Sequence, residues 1–145
     1  MIRQVSIFME NHEGRLNKML KILAENNINI RSLNIAETMD YGIIRLILQE
    51  TEKGIEVLKK NNIRCTLTSV LAAEVPDQPG GLSNLVDALT QAKINIVYAY
   101  SFLPKKTENA IIIIRVDDEV QQKAIETIEK ISTVNLLDAE TLLMK

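Results

Sequence analysis

The run Asn11-His12-Glu13-Gly14-Arg15-Leu16 returns later in the chain as Asp77-Gln78-Pro79-Gly80-Gly81-Leu82, at a constant separation of 66 residues (80 − 14). The separation holds beyond the loop: Leu23 matches Leu89, and Ile28-Asn29-Ile30 matches Ile94-Asn95-Ile96 without a gap. Such self-similarity marks a duplication, and a period above the roughly 20–50 residues of stacked repeats points to two small domains rather than a solenoid. The chain therefore divides into 1–69 and 70–145, each with the same loop, helix and strand unit. Whatever the loop does, the chain is expected to do it twice.

Each half is too small for an extensive core of its own, so the choice of core residues matters. Hydrophobic residues make up 46% of the chain but aromatic ones only 3%, so the interior is built from Ile, Leu and Val. Stacking platforms for single-stranded nucleic acid are excluded on that count. The net charge of −2 is spread without a basic stripe, which excludes an electrostatic surface for nucleic acid or an anionic membrane. No stretch reaches the length of a membrane span and no signal-peptide pattern opens the chain, so the expectation is a cytoplasmic protein. Cys65 is the single cysteine, set in the alternating run Ile63-Arg64-Cys65-Thr66-Leu67 and read as a core residue.

Residues 2 to 9 read as a strand, and Leu16, Met19, Leu20, Leu23 and Ala24 follow at helical spacing. Asn29 to Thr38 and Tyr41 to Gln49 read as two strands turning at Met39-Asp40. A second helix runs from about Thr51, its expected cap, to Lys60, and Ile63 onward is again strand. The second half repeats this order, with Leu82, Leu85, Val86, Leu89 and Ala92 on the first helix and Val120, Ala124, Ile128 and Ile131 on the second. Its hairpin is two residues longer, at Pro104 to Glu108, so Gly42 aligns with Ala110 (110 − 42 = 68). Ile111 to Ile114 lacks alternation, as in a strand covered on both faces, and Thr133 to Met144 is expected to close the unit as strand. No Pro, Gly or Ser-rich linker separates the halves, so they are expected to hold a fixed mutual orientation.

Both loops end in glycine at the opening of a helix, where the first backbone N–H groups have no helical partners and attract an anion. Glycine lets the backbone approach a ligand closely. Neither loop matches a phosphate-binding or dinucleotide pattern. Asn11 and Asp77 occupy equivalent loop positions, and Asn29 and Asn95 precede equivalent strands. They serve either as caps and turn residues or, with the helix N–H groups, as a set complementary to the carboxylate and ammonium of an α-amino acid. His12 is the only histidine, so no metal or nucleophile-activating constellation accompanies it. Asp117-Asp118-Glu119 is explained by the dipole of the helix it opens. Tyr98 and Tyr100 share one strand face and read as packing or interface residues.

With these residues in view, both halves resemble the ACT domain, a small regulatory module of amino-acid metabolism. The loop segments, with Asn27-Ile28-Asn29-Ile30 and Lys93-Ile94-Asn95-Ile96, resemble the pattern Asn/Asp-x-Pro-Gly-x-Leu followed by a helix and Gly-x-Asn-Ile. The resemblance implies an α+β fold of two ferredoxin-like βαββαβ units in tandem, with antiparallel sheets and helices on one face. It implies effector contacts at Asn11, Glu13, Gly14, Arg15, Leu16 and Asn29 in the first half, and at Asp77, Pro79, Gly80, Gly81, Leu82 and Asn95 in the second. Glu13 stands where the pattern has proline, and Asn27 and Lys93 where it has glycine.

The reading that follows is a non-catalytic regulator that binds a small amino acid at ACT interfaces, needs no cofactor or metal, and signals through changed association as a homodimer or with a metabolic enzyme. Asn29-Ile30-Arg31-Ser32-Leu33 also resembles the regulatory subunit of acetolactate synthase, although a second loop motif is not expected there. A ligand-independent interaction module and a ferredoxin-like enzyme complete the alternatives.

Overall fold

The computed structural model describes residues 1–10, 12–37, 40–105 and 109–145. Asn11, Thr38, Met39 and the tip of the longer hairpin, residues 106–108, lie outside the described residues, and with them the end of the expected strand at Thr38 and part of its turn. The chain forms two compact units, residues 3–68 and residues 1–2 with 69–145. Each is α+β and ferredoxin-like.

In the first unit, strand β1 (Ile2–Glu10) leads through the loop into helix α1 (Arg15–Glu25); β2 (Ile30–Glu37) and β3 (Tyr41–Leu48) form a hairpin, and α2 (Thr51–Lys60) precedes β4 (Cys65–Pro76). β3 pairs antiparallel with both β1 and β2. The start of β4 lies beside β1, with Thr68 Oγ1 3.1 Å from Ser6 Oγ. The period-two alternation of β1 and β3 sends Val5, Ile7, Ile44, Leu46 and Leu48 to one side, where they meet Met19 and Leu23 of α1 and Leu58 of α2. Both helices therefore cover the same sheet face. Ile22 belongs to the buried stripe of α1, whereas Ala24, expected on it, is exposed. Thr51 does not cap α2: Glu50 holds that position and makes no side-chain cap.

The second unit runs from β4 through α3 (Gly81–Gln91), β5 (Tyr98–Phe102), β6 (Asn109–Arg115), a 3₁₀ turn, α4 (Gln121–Glu129), β7 (Asn135–Leu137) and α5 (Ala139–Met144). β4 pairs with β6 and β7, and β6 pairs with β5. Met9 faces Gly42 in the first unit and Val75 faces Ala110 in the second, so the register itself carries the change of separation from 66 to 68 residues (75 − 9 and 110 − 42). All of Ile111 to Ile114 are buried. Ile112 and Ile114 join the core under α3 and α4, and their neighbours point to the opposite face.

Two expectations about this unit are corrected. Leu82 and Val86 lie on α3 but are 46% and 37% exposed, because the line of α3 that meets the sheet runs through Leu85 and Leu89. The closing segment is strand only over Asn135–Leu137 and then turns into α5. Asp138 starts that helix by accepting a hydrogen bond from the Thr141 N–H at 2.8 Å, a cap that also holds its carboxyl below the usual carboxylate range. On the sheet face away from α3 and α4, buried Glu74 accepts from Asn109 Nδ2 at 3.0 Å and lies 3.6 Å from Lys145 Nζ, just past α5.

Three helices end in the same way. Asn27, Asn62 and Lys93 adopt φ of 56°, 60° and 60°, and the next amide reaches back to the helix, Ile28 to Leu23, Ile63 to Leu58 and Ile94 to Leu89, each at 2.9 Å. Asparagine tolerates the left-handed region, but lysine pays a steric penalty there. Lys93→Gly is therefore expected to raise stability by about 1 kcal/mol, read as a higher denaturant midpoint at unchanged slope. Asn27→Gly is expected to gain less.

Candidate functional site

The two loops are copies in backbone as well as in sequence. Gly14 and Gly80 sit immediately before α1 and α3 with φ, ψ of 85°, −15° and 87°, −11°, a left-handed turn suited to glycine. Lys18 N–H bonds back to the Gly14 carbonyl and Asn84 N–H to that of Gly80, both at 2.9 Å. Neither helix has a side-chain cap at its N-terminus; the first amide of each turns back to its own loop, Arg15 to the His12 carbonyl and Gly81 to that of Gln78, and the amides that follow are left for an incoming acceptor. Asp77 is exposed, does not cap α3, and makes no ion pair or side-chain hydrogen bond among the described residues. Its carboxylate is open to an ammonium group. Asn11, its counterpart, lies outside the described residues.

A small cavity of about 80 Å³ opens at the first loop, lined by Met9, Glu10, His12, Arg15, Leu16, Ile35, Gly42 and Ile44. Arg15 commands its polar side: Nε donates to His12 Nε2 at 3.0 Å and an outer nitrogen donates to Glu10 Oε2 at 3.4 Å. With its proton on Nδ1, His12 donates to the Glu13 carbonyl, 3.1 Å away, and accepts from Arg15. Glu10 thus occupies the guanidinium that an effector carboxylate would seek. The sequence carried a signal for it, an acidic residue five positions before Arg15 at the end of β1, but not its direction.

Of the residues expected at the sites, Arg15 and Leu16 line this cavity, while Gly14 shapes the backbone beside it. Glu13 is exposed in the turn, and Pro79 and Gly80 are exposed in the second loop, where Gly81 is buried. Asn29 and Asn95 are exposed and lie elsewhere: each follows the C-terminal end of the helix whose N-terminus the loop forms. An 11-residue helix is about 16 Å long, so loop and asparagine of one unit do not meet on one small ligand.

Other candidates fall away on geometry. Cys65 is half-buried against the first core, and burial pushes its thiol up, only partly offset by the charge of Lys59. That is the opposite of an activated nucleophile. Tyr98 and Tyr100 stack with ring centroids 6.4 Å apart. Among the described residues no group of three or more His, Cys, Asp or Glu side chains could hold a metal ion, and no helix is long and apolar enough to cross a membrane.

Comparison with known proteins gives a concordant picture. The sequence model of a family described as an ACT domain pair matches residues 1–143. No curated protein matches the chain in sequence. Among solved structures, protein BT0572 from Bacteroides thetaiotaomicron is 35% identical, with a TM-score of 0.88 over 99% of this chain and 96% of its own. The ligand-free regulatory subunit of aspartate kinase from Thermus thermophilus is 16% identical, with a TM-score of 0.63 over 88% and 91% of the two chains. Its counterpart from Thermus flavus is 14% identical, with a TM-score of 0.59 over 88% and 90%. These last two share the fold.

Proposed function

The chain belongs to the family of ACT domain pairs, and from that premise we propose that it is a non-catalytic regulatory protein whose loops bind a small amino acid. The observation that carries this reading is the pair of uncapped helix N-termini behind left-handed glycines, repeated in both halves. Free amides there donate to the effector carboxylate, and Asp77 in the second loop accepts from its ammonium. Aspartate kinase regulatory subunits share this fold, which makes a metabolic enzyme a natural partner. The protein would act in the cytoplasm.

Because Asn29 and Asn95 lie a helix length from their own loops, a ligand touching both kinds of residue is completed by a second copy of the chain. A homodimer fits the free edge strands of the units, β2 with exposed Leu33 and Ile35 in the first and β5 in the second. Binding then favours one association state by its differential affinity, on the order of 1–3 kcal/mol in coupled systems. Asn29→Ala and Asn95→Ala remove exposed side chains and are expected to leave folding intact while weakening effector binding about tenfold each, the worth of one charge-assisted hydrogen bond. Calorimetric titration checks this. Unchanged affinity in both single variants and in the double variant rejects the asparagines as contacts.

A further inference from the structure

We propose that the first unit carries a second ligand site, at the end of its sheet where β1 runs into the loop, that takes a small aryl carboxylate: a planar ring bearing one anionic group. A groove of about 350 Å³ opens there, with Phe8, Tyr41, Asn62, Arg64, Glu10 and Arg15 supplying its chemistry. That volume lies within the range of small-molecule sites. It is distinct from the loop cavity, with which it shares only residues at the end of β1 and Arg15.

The aromatic wall is the first observation. Only five residues of the chain are Phe or Tyr, yet Phe8 and Tyr41 stand together here, 65% and 46% exposed. Phe8 pairs with Ile43 and Glu10 with Tyr41, so strand alternation places all four side chains on the same face. The two rings are 5.7 Å apart and tilted by 45°, with open surface left for a third ring in the offset or tilted contacts that aromatic groups prefer. Burial in the core does not explain this pair, because the core of the unit lies on the other face.

The second observation is a cation without a counter-ion. Arg15 is engaged by Glu10 and His12, but the guanidinium of Arg64 has no ion pair or side-chain hydrogen bond among the described residues. It presents a planar fork that matches a carboxylate in two parallel hydrogen bonds. Asn62 lines the groove beside it, fixed at φ 60° by the turn that ends α2, and adds an amide donor. Glu10, which also lines the groove, repels a second anionic group, so the site favours a monoanion over a dicarboxylate.

The test is calorimetric titration of the full chain with benzoate and phenylacetate, using acetate and cyclohexanecarboxylate as controls and Arg64→Gln and Phe8→Leu as variants. Both substitutions fall at exposed positions, and an unchanged melting temperature verifies that each variant is folded. The expected result is saturable binding of at least one aryl carboxylate, weaker by at least about fivefold in each variant and for the saturated ring, with no binding of acetate. Absence of aryl carboxylate binding at millimolar concentrations overturns the proposal. So does binding that both variants leave unchanged, or that the saturated ring matches.

Discussion

Truncating Leu89 to alanine is expected to destabilise the protein by about 2–5 kcal/mol, a large part of the stability of a small domain. Leu89 is fully buried among Leu71, Leu85, Ile94, Ile112 and Ile128, so the substitution leaves a void that a close-packed aliphatic interior fills poorly. The consequence reaches the function, because the carbonyl of Leu89 also receives the Ile94 amide in the turn that presents Asn95. Denaturant unfolding measures the effect. A loss under about 1 kcal/mol would mean that α3 is not anchored through this residue. Leu23→Ala, at the equivalent position and equally buried, is expected to behave alike.

Gly81→Ala is expected to cost about 1–3 kcal/mol and to disturb the second loop, while Gly80→Ala one position earlier costs about 1 kcal/mol. The reasons differ. A Cβ on Gly81 would be driven into the carbonyl oxygen of Pro76, rigid backbone that already accepts the Gln78 amide at 2.9 Å. A Cβ on Gly80 meets nothing within 4 Å, and only its φ of 87° is strained. The first loop carries Arg15 where the second has Gly81, and it is correspondingly looser. Its two equivalent hydrogen bonds, His12 to Glu10 and Arg15 to His12, measure 3.2 and 3.4 Å, against 2.9 and 3.0 Å for Gln78 to Pro76 and Gly81 to Gln78. Calorimetric unfolding of the two variants checks this order. Equal losses for Gly80→Ala and Gly81→Ala would contradict the tight second loop.

The difference between the loops bears on what each can do. The second offers an Asp77 unpaired among the described residues and close backbone; the first offers a guanidinium already engaged by Glu10. Duplicated backbone geometry has thus been given two different sets of side chains. Unequal affinities at the two loops follow from the proposed function.

Much of the fold was legible because duplication constrains it twice. A strand, helix, hairpin, helix and strand in one half had to be matched in the other, and the two-residue extension emerges in the pairing of Val75 with Ala110. What escaped the sequence reading depends on direction and tertiary contact. The segment through Leu142 and Leu143 is apolar enough to pass for strand, and only the Asp138 cap reveals the helix. Leu82 and Val86 obey helical spacing but face away from the sheet. The conformation of Lys93 is set by a helix ending rather than by its own preference. At the site, motif spacing identified the turn around Gly14 but placed Asn29 with it, whereas α1 separates them; Glu10 became visible only once the end of β1 was seen beside Arg15.

The central claim is that an amino acid binds the folded chain, and thermal unfolding of extensively dialysed protein against each common amino acid and simple 2-oxo acids tests it most directly. A ligand at 100 times its dissociation constant stabilises the folded state by about 2.7 kcal/mol, enough for a clear rise in melting temperature. The account predicts a selective, saturable rise with one or a few small amino acids, diminished in the Asn29→Ala and Asn95→Ala variants. Folded protein whose melting temperature no amino acid moves would contradict it.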